Sequence, residues 1–184
     1  GIIGGGNLGN KTWDLLARNN QVIVYDIVPC KCSPIGILFN DILECDIVII
    51  CISLNISNGE IDTDILIDLI GRLHRNNIKN IIIRSKVPPG TSDSLNSYYF
   101  PNLSDNLIMG VPKEINDISF KNWIDTEFDS KLNLINAIEL EILALSLDSY
   151  LNVKTAFFKE LQNYCKSIGI KFDNIKNYII DEKI

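Results

Sequence analysis

Apolar residues in this chain recur with two different periods, and the alternation between them predicts the order of its elements. Ile2-Ile3, Val22-Ile23-Val24-Tyr25, Ile47-Val48-Ile49-Ile50-Cys51-Ile52 and Ile81-Ile82-Ile83 are continuous apolar runs bounded by polar residues. Strands covered on both faces read this way. Strands are therefore expected at about 2–4, 22–26, 46–52, 80–84 and 107–111. Helical spacing occupies the intervals, at about 7–19, 37–43 and 62–75 and after Thr91. Trp13, Leu15, Leu16 and Ala17 are expected to pack the first helix on the sheet, and Ile65, Leu66, Leu69, Ile70 and Leu73 the helix before Asn76. Pro29 and Pro34 break the chain after the second strand, Asn58-Gly59 signals a turn, and Thr91 or Ser92 is expected to cap the next helix.

Strand and helix alternate from the start, which predicts an α/β fold with an open, doubly wound parallel sheet. From Val111 to about Lys131 the pattern weakens, with Trp123 and Phe128 as expected anchors. A long helix is then expected over Leu134–Ile168, ended by Gly169 and followed by a short one over Asp173–Ile180. Ile135, Ile138, Ile142, Leu145, Tyr150, Leu151, Val153, Phe157, Phe158, Leu161 and Cys165 lie on more than one face of that helix, so burial on more than one side is expected. The boundary between the sheet domain (1–130) and the helical segment (131–184) is set in the weak stretch.

Gly4-Gly5-Gly6-Asn7-Leu8-Gly9 changes this outline into a Rossmann-type reading. It has the G-x-G-x-x-G spacing, follows the first strand, opens the first helix, and is followed 17 residues later by Asp26 at the end of the second strand. The glycines allow a tight turn, close approach of a pyrophosphate and close helix–sheet packing, with the phosphates at the helix N-terminus. An acid at that strand tip accepts bonds from both ribose hydroxyls and repels a 2′-phosphate, so NAD is the expected cofactor. Lys31 lies on the loop beside that ribose, where it serves either the ribose, a phosphate, or solvent. In a parallel sheet, ligands bind beyond the strands' C-terminal ends. The places to search are Gly4–Gly9, Asp26, Ser53–Asn55, Ser85–Lys86 and 111–117.

Composition narrows the classes. The 184 residues are 46% hydrophobic and 22% charged, with net charge −6 and pI about 4.8. No basic patch favours nucleic acid, and no apolar run reaches the ~20 residues a bilayer span needs. Five cysteines, Cys30, Cys32, Cys45, Cys51 and Cys165, have no framework spacing, so a reducing, cytoplasmic setting is expected. Cys30-Lys31-Cys32 is the one metal-like spacing, but His74 is the sole histidine and reads as a helix-end residue. Residues preceding Gly1 are expected to be missing, because Ile2-Ile3 is short for a central strand.

Several stretches together resemble the UDP-glucose/GDP-mannose dehydrogenase family, which oxidises a nucleotide-sugar alcohol to an acid in two NAD-dependent hydride transfers. Arg84-Ser-Lys-Val-Pro-Pro-Gly-Thr91 is similar to its S-T-V-P-P-G-T segment, and Val111-Pro-Lys-Glu to its N-P-E-F motif. Glu141 to Gly169, with Tyr150-Leu151, Lys154, Phe158 and Glu160-Leu161, resembles its central helix, and Asp181 to Ile184 the D-x-R-I that follows. A deletion of about 30–40 residues falls near Phe128–Asn136 in this comparison.

The resemblance implies NAD binding by Gly4, Gly6, Asn7, Leu8, Gly9, Asp26, Lys31, Ser53, Ser85 and Lys86. It also implies a dimer through 134–168. The departures imply lost chemistry. Lys86 stands for the threonine that holds the catalytic water, Lys113 for the motif glutamate (with Glu114 one residue on), Ala144 for the oxyanion lysine and Asp148 for the asparagine. The resemblance sets Leu54-Asn55 where the family has Thr-Pro beside the nicotinamide, and the domain carrying the nucleophilic cysteine and the nucleotide-sugar site is expected to be missing from this chain. The expectation is a nucleotide-binding relative without the full activity. Two alternatives are an interaction protein on a relict fold, and an oxidoreductase on another small substrate using Lys86, Lys113 or Lys154.

Overall fold

A computed structural model describes residues 1–102, 107–113, 118–128 and 131–181. In chain order the elements are β1 (Ile2–Ile3), α1 (Asn7–Leu16), β2 (Val24–Tyr25), α2 (Phe39–Ile42), β3 (Ile47–Ile50), β4 (Ile56–Ser57), β5 (Glu60–Ile61), α3 (Asp64–Arg75), β6 (Asn80–Ile83), α4 (Thr91–Ser94), β7 (Tyr98–Tyr99), β8 (Ile108–Val111), α5 (Ile118–Glu127), β9 (Asn133–Asn136), α6 (Ala137–Ser167) and α7 (Asp173–Asp181). Seven strands form one sheet in the order β2-β1-β3-β6-β7-β8-β9. The first five in that order are mutually parallel; β8 pairs antiparallel to β7, and β9 follows β8 in parallel. The Rossmann-like, mostly parallel sheet and the long C-terminal helix are those the pattern predicts.

The sheet separates two apolar layers. Ile3, Val48, Ile50, Ile81 and Ile83 face one way and pack under α3, with Leu66, Ile70 and Leu73. Ile2, Val24, Ile49 and Ile82 face the other way, towards Leu16 of α1 and Phe120 and Ile124 of α5. Alternate residues of each strand thus serve opposite layers, which is why the strands read as unbroken apolar runs. Contacts divide the chain into two units, Gly1–Ala144 and the remainder from Leu145, with α6 spanning the division.

Several details differ from the sequence reading. In α1 the buried positions are Gly9, Thr12 and Leu16, spaced three and four apart, whereas Trp13 and Leu15 are exposed. Ile65 is likewise exposed because Leu66, Ile70 and Leu73 define the inner face of α3. Asn58-Gly59 makes its turn, with φ of 53° and 83°, but the flanking residues pair as the β4–β5 hairpin. The α4 N-cap is Gly90, not Thr91 or Ser92, and no side chain of its own caps it. Leu134 and Ile135 belong to β9, opposite Met109 and Gly110, so the long helix starts at Ala137. Gly110 admits this crossing, since a Cβ there would lie 2.7 Å from the Ala137 Cα.

In the unit from Leu145, Cys165 is buried, and Gly169 ends α6 in the left-handed conformation with the Ile170 N–H bonded to the Cys165 carbonyl. Tyr150, Leu151, Val153, Phe157 and Tyr164 are exposed in the single chain, where burial on several sides was expected. None of the described helices is long and apolar enough to cross a membrane.

Candidate functional site

The turn between β1 and α1 is held by two close approaches. Gly4 has φ 106°, and a Cβ there would stand 2.6 Å from the Cys51 carbonyl at the end of β3. A Cβ on Gly9 would run into the Gly4 carbonyl, so only a glycine lets α1 start this close to the strand. Gly6 is the N-cap of α1, with no side-chain cap bond and no acid in the first turn. The first N–H groups of α1 and the positive end of its dipole are therefore met by no cap or acid of the helix itself. This turn lies over the β1/β3 boundary, where the strand order reverses, and where open α/β sheets bind ligands.

Asp26 closes the other side. Its Oδ2 accepts the Gly5 N–H at 2.7 Å and its Oδ1 the Val28 N–H at 2.8 Å. The carboxylate is thus oriented by backbone and retains lone pairs for further donors. The chain then folds back along the edge of β2. Val24 and Ser33 exchange two backbone bonds, and the Cys32 thiol bonds the Asp26 backbone at 3.3 Å. A 3₁₀ turn over Pro29–Lys31 sits between, with Lys31 backbone against Gly5.

At the ends of β3 and β6, the Ser85 hydroxyl donates to the Ile52 carbonyl at 2.6 Å, tying the two strand ends together. Lys86 beside it and Ser53 across from it are exposed. Sequence reasoning passed over Arg84. Its guanidinium is buried, stacks on Phe100 at 4.6 Å, and leaves Nε and Nη1 without a hydrogen-bond partner. Burial pushes its pKa down, opposed by the neighbouring Cys51. Burial pushes the Cys51 thiol up, partly offset by its contact with Thr12 and by Arg84. Cys51 is a packed, protonated thiol rather than a nucleophile. A charged residue ending the Ile81–Ile83 run was the only available signal for Arg84.

The remaining residues singled out by the sequence do not gather here. Because β8 runs against β7, Val111 and Lys113 lie at the opposite edge of the sheet from Gly4–Gly9, and the Lys113 N–H bonds Asp93 Oδ1 at 3.1 Å. The search for ligand residues at 111–117 assumed a wholly parallel sheet. Parallel β7 instead brings Phe100 and Pro101 to the glycine-loop edge. Ala144 is buried in the apolar layer with Leu140 and Ile83, and carries no cation. Asp148 and Lys154 belong to the unit from Leu145. Residues 114–117, Glu114 among them, and 182–184 lie outside the described residues. Glu141, passed over as a functional group, is fully buried and accepts the Gly90 N–H at 2.5 Å and the Ser92 N–H at 2.8 Å. A cleft of about 390 Å³ lined by Gln21, Asp41, Glu44 and Trp123 opens at the N-terminal ends of β1–β3, away from this site. Among the described residues no three His, Cys, Asp or Glu side chains gather into a metal site.

Fold and loop together define a Rossmann-like α/β protein with a dinucleotide-type turn. No protein-family model matches the chain. Among curated proteins it is 26% identical to UDP-glucose 6-dehydrogenase of Rickettsia bellii over 156 residues, covering 70% of this chain and 36% of that protein. Among solved structures it is similar to GDP-mannose dehydrogenase of Pseudomonas aeruginosa, with TM-score 0.80, 16% identity, and coverage of 100% of this chain and 57% of that one. UDP-D-ManNAc dehydrogenase of Pyrococcus horikoshii matches with TM-score 0.75, 18% identity, and coverage of 100% and 58%. The chain thus spans about a third of the curated relative and somewhat over half of the solved ones. These matches bear out the resemblance to nucleotide-sugar dehydrogenases read from the sequence.

Proposed function

We propose that this chain binds NAD across Gly4–Gly9 and Asp26 and does not by itself oxidise a nucleotide sugar to its acid. The observation that carries the first half is the juxtaposition of an uncapped α1 N-terminus with a carboxylate fixed on the Gly5 N–H. The groups present fit the cofactor. Gly4 and Gly9 let β1, β3 and α1 approach one another closely, Gly6 keeps open space where a Cβ would stand, Gly6, Asn7 and Leu8 would offer N–H groups to a pyrophosphate, and Asp26 and Lys31 would take the adenosine ribose. Ser53, Ser85 and Lys86 lie on the side of the nicotinamide ring, which when bound accepts a hydride.

The second half rests on Ala144. Where the family resemblance places an oxyanion-stabilising lysine, this chain has a methyl group packed in its core. A cation at such a position is worth about 100–1,000-fold in rate, and Asp148 adds negative charge near the same turn of α6. In calorimetry NAD is expected to bind with a sub-millimolar Kd and NADP far more weakly. Asp26→Asn is expected to raise the NAD Kd about tenfold, since bonds to a charged acceptor are worth about 1.5–3 kcal/mol each. No heat with NAD at millimolar concentration would defeat the binding half. Steady NADH formation from NAD and UDP-glucose or GDP-mannose would defeat the other.

The exposed apolar residues of α6 favour a second property, self-association. Tyr150, Leu151, Val153, Phe157 and Tyr164 are large apolar side chains left exposed along one helix, the kind of surface that a second copy can cover. A homodimer through this helix is expected by light scattering, and a monomer at micromolar concentration would refute it. A reducing, cytoplasmic setting suits the five free cysteines.

A further inference from the structure

We infer that the Pro29–Lys31 turn is a strap that covers the cofactor loop at Gly5 and must lift before a dinucleotide can seat, an inference that rests on the NAD reading above. Gly5 occupies the position that the G-x-G-x-x-G pattern leaves free. It is not among the residues with positive φ, so its backbone does not require glycine. What requires glycine there is Lys31. A Cβ on Gly5 would stand 2.9 Å from the Lys31 Cβ and closer still to the Lys31 carbonyl oxygen. The obstacle is backbone, so it clears only when the turn moves as a whole.

The same turn is tied to the site's acid. Asp26 accepts the Gly5 N–H with one oxygen and the Val28 N–H, at the root of the turn, with the other. Cys32, on the far side of the turn, is buried and bonds the Asp26 backbone through its thiol. A ribose reaching Asp26 from phosphates at the α1 N-terminus has to pass over Gly5, because Gly5 links the two. That passage is where the Lys31 backbone rests. With the strap lifted, the exposed Lys31 side chain is free to meet the ribose or a phosphate from outside. The closed strap lowers apparent affinity by the fraction of molecules in which it is shut.

Gly5→Ala tests this, because its methyl group displaces the turn without altering Gly4, Gly6, Gly9 or the Asp26 carboxylate themselves. Two quantities are read in the full chain: the NAD Kd by calorimetry, and the labelling rate of the Cys32 thiol in a Cys30→Ser background, located by peptide mass spectrometry. Gly5→Ala is expected to label Cys32 at least about tenfold faster and to tighten NAD binding at least about threefold. Pro29→Gly loosens the turn without touching the glycine loop, and is expected to move both quantities the same way. It covers the case in which Gly5→Ala does not fold. Unchanged labelling, or faster labelling with weaker NAD binding, overturns the strap and leaves the NAD reading standing. Faster labelling with NAD bound by neither protein overturns the NAD reading, and the strap's competition with it.

Discussion

Gly9→Ala is expected to be the most damaging single methyl group that can be added to this chain. The new Cβ would overlap the Gly4 carbonyl oxygen and stand 3.7 Å from the Ile2 side chain. Neither neighbour can yield locally. The Gly4 N–H bonds the Tyr25 carbonyl, and Gly4 runs so close to the Cys51 carbonyl that it has no room for a Cβ of its own. The remaining escape is for α1 to move off the sheet, which would unpack Thr12 and Leu16. Overpacking of a core site costs about 1–3 kcal/mol, and this backbone-to-backbone case belongs at or above the top of that range. At a urea m-value of about 2 kcal/mol/M, a loss of about 3 kcal/mol lowers the midpoint by about 1.5 M. Gly6→Ala is the internal control. Nothing lies within 4 Å of its Cβ position, so stability should change little while NAD binding weakens from loss of close approach. Equal unfolding midpoints for Gly9→Ala and the parent protein would show that α1 does not start where the structure puts it.

This loop was legible in the sequence for a physical reason. Strand, turn, helix N-terminus and acid fall within 25 residues, Ile2 to Asp26, and each imposes a residue type locally. The apolar runs of β3 and β6 were legible because strands covered on both faces tolerate no polar residue. What lay outside local pattern was pairing. Tyr98–Tyr99 is too short to show a period, yet its parallel place beside β6 carries Phe100 to the glycine-loop edge, and its antiparallel neighbour β8 sends Lys113 to the other edge. Reading Lys113 as a ligand-side residue followed from assuming one strand direction. Helix phase was the second gap. Trp13 and Ile65 are as apolar as their buried neighbours, and only Thr12 and Leu66, one position away, reveal which face meets the sheet. Arg84 and Glu141 were passed over for a common reason. A charged residue is read as solvated unless its partner is visible, and their partners, an aromatic face and two backbone N–H groups, leave no mark in sequence.

Glu141→Ala is expected to cost about 3 kcal/mol, the second largest loss. The carboxylate is fully buried on the first turns of α6 and caps α4 from another part of the chain, accepting the Gly90 and Ser92 N–H groups. It takes the role that Thr91 or Ser92 would fill in a self-capped helix. Removing it strands the buried Ser92 donor and the half-buried Gly90 donor, at about 1–3 kcal/mol each with Gly90 at the low end, and relief of one desolvated charge offsets part of that sum. Glu141→Gln separates the contributions. The amide keeps one acceptor oxygen but turns an NH₂ towards the other donor, so a loss of about 2 kcal/mol is expected. The functional consequence follows from the chain path. Val87–Thr91 continues directly from Ser85 and Lys86, and its end is anchored by Glu141. Freeing that anchor loosens the nicotinamide side of the proposed site while leaving Asp26 and Gly5 as they are. Urea unfolding should therefore fall for both variants, with NAD affinity falling less than it does for Asp26→Asn. A stability loss under about 1 kcal/mol for Glu141→Ala would mean that the two N–H groups find another acceptor, and that α4 is not held from α6.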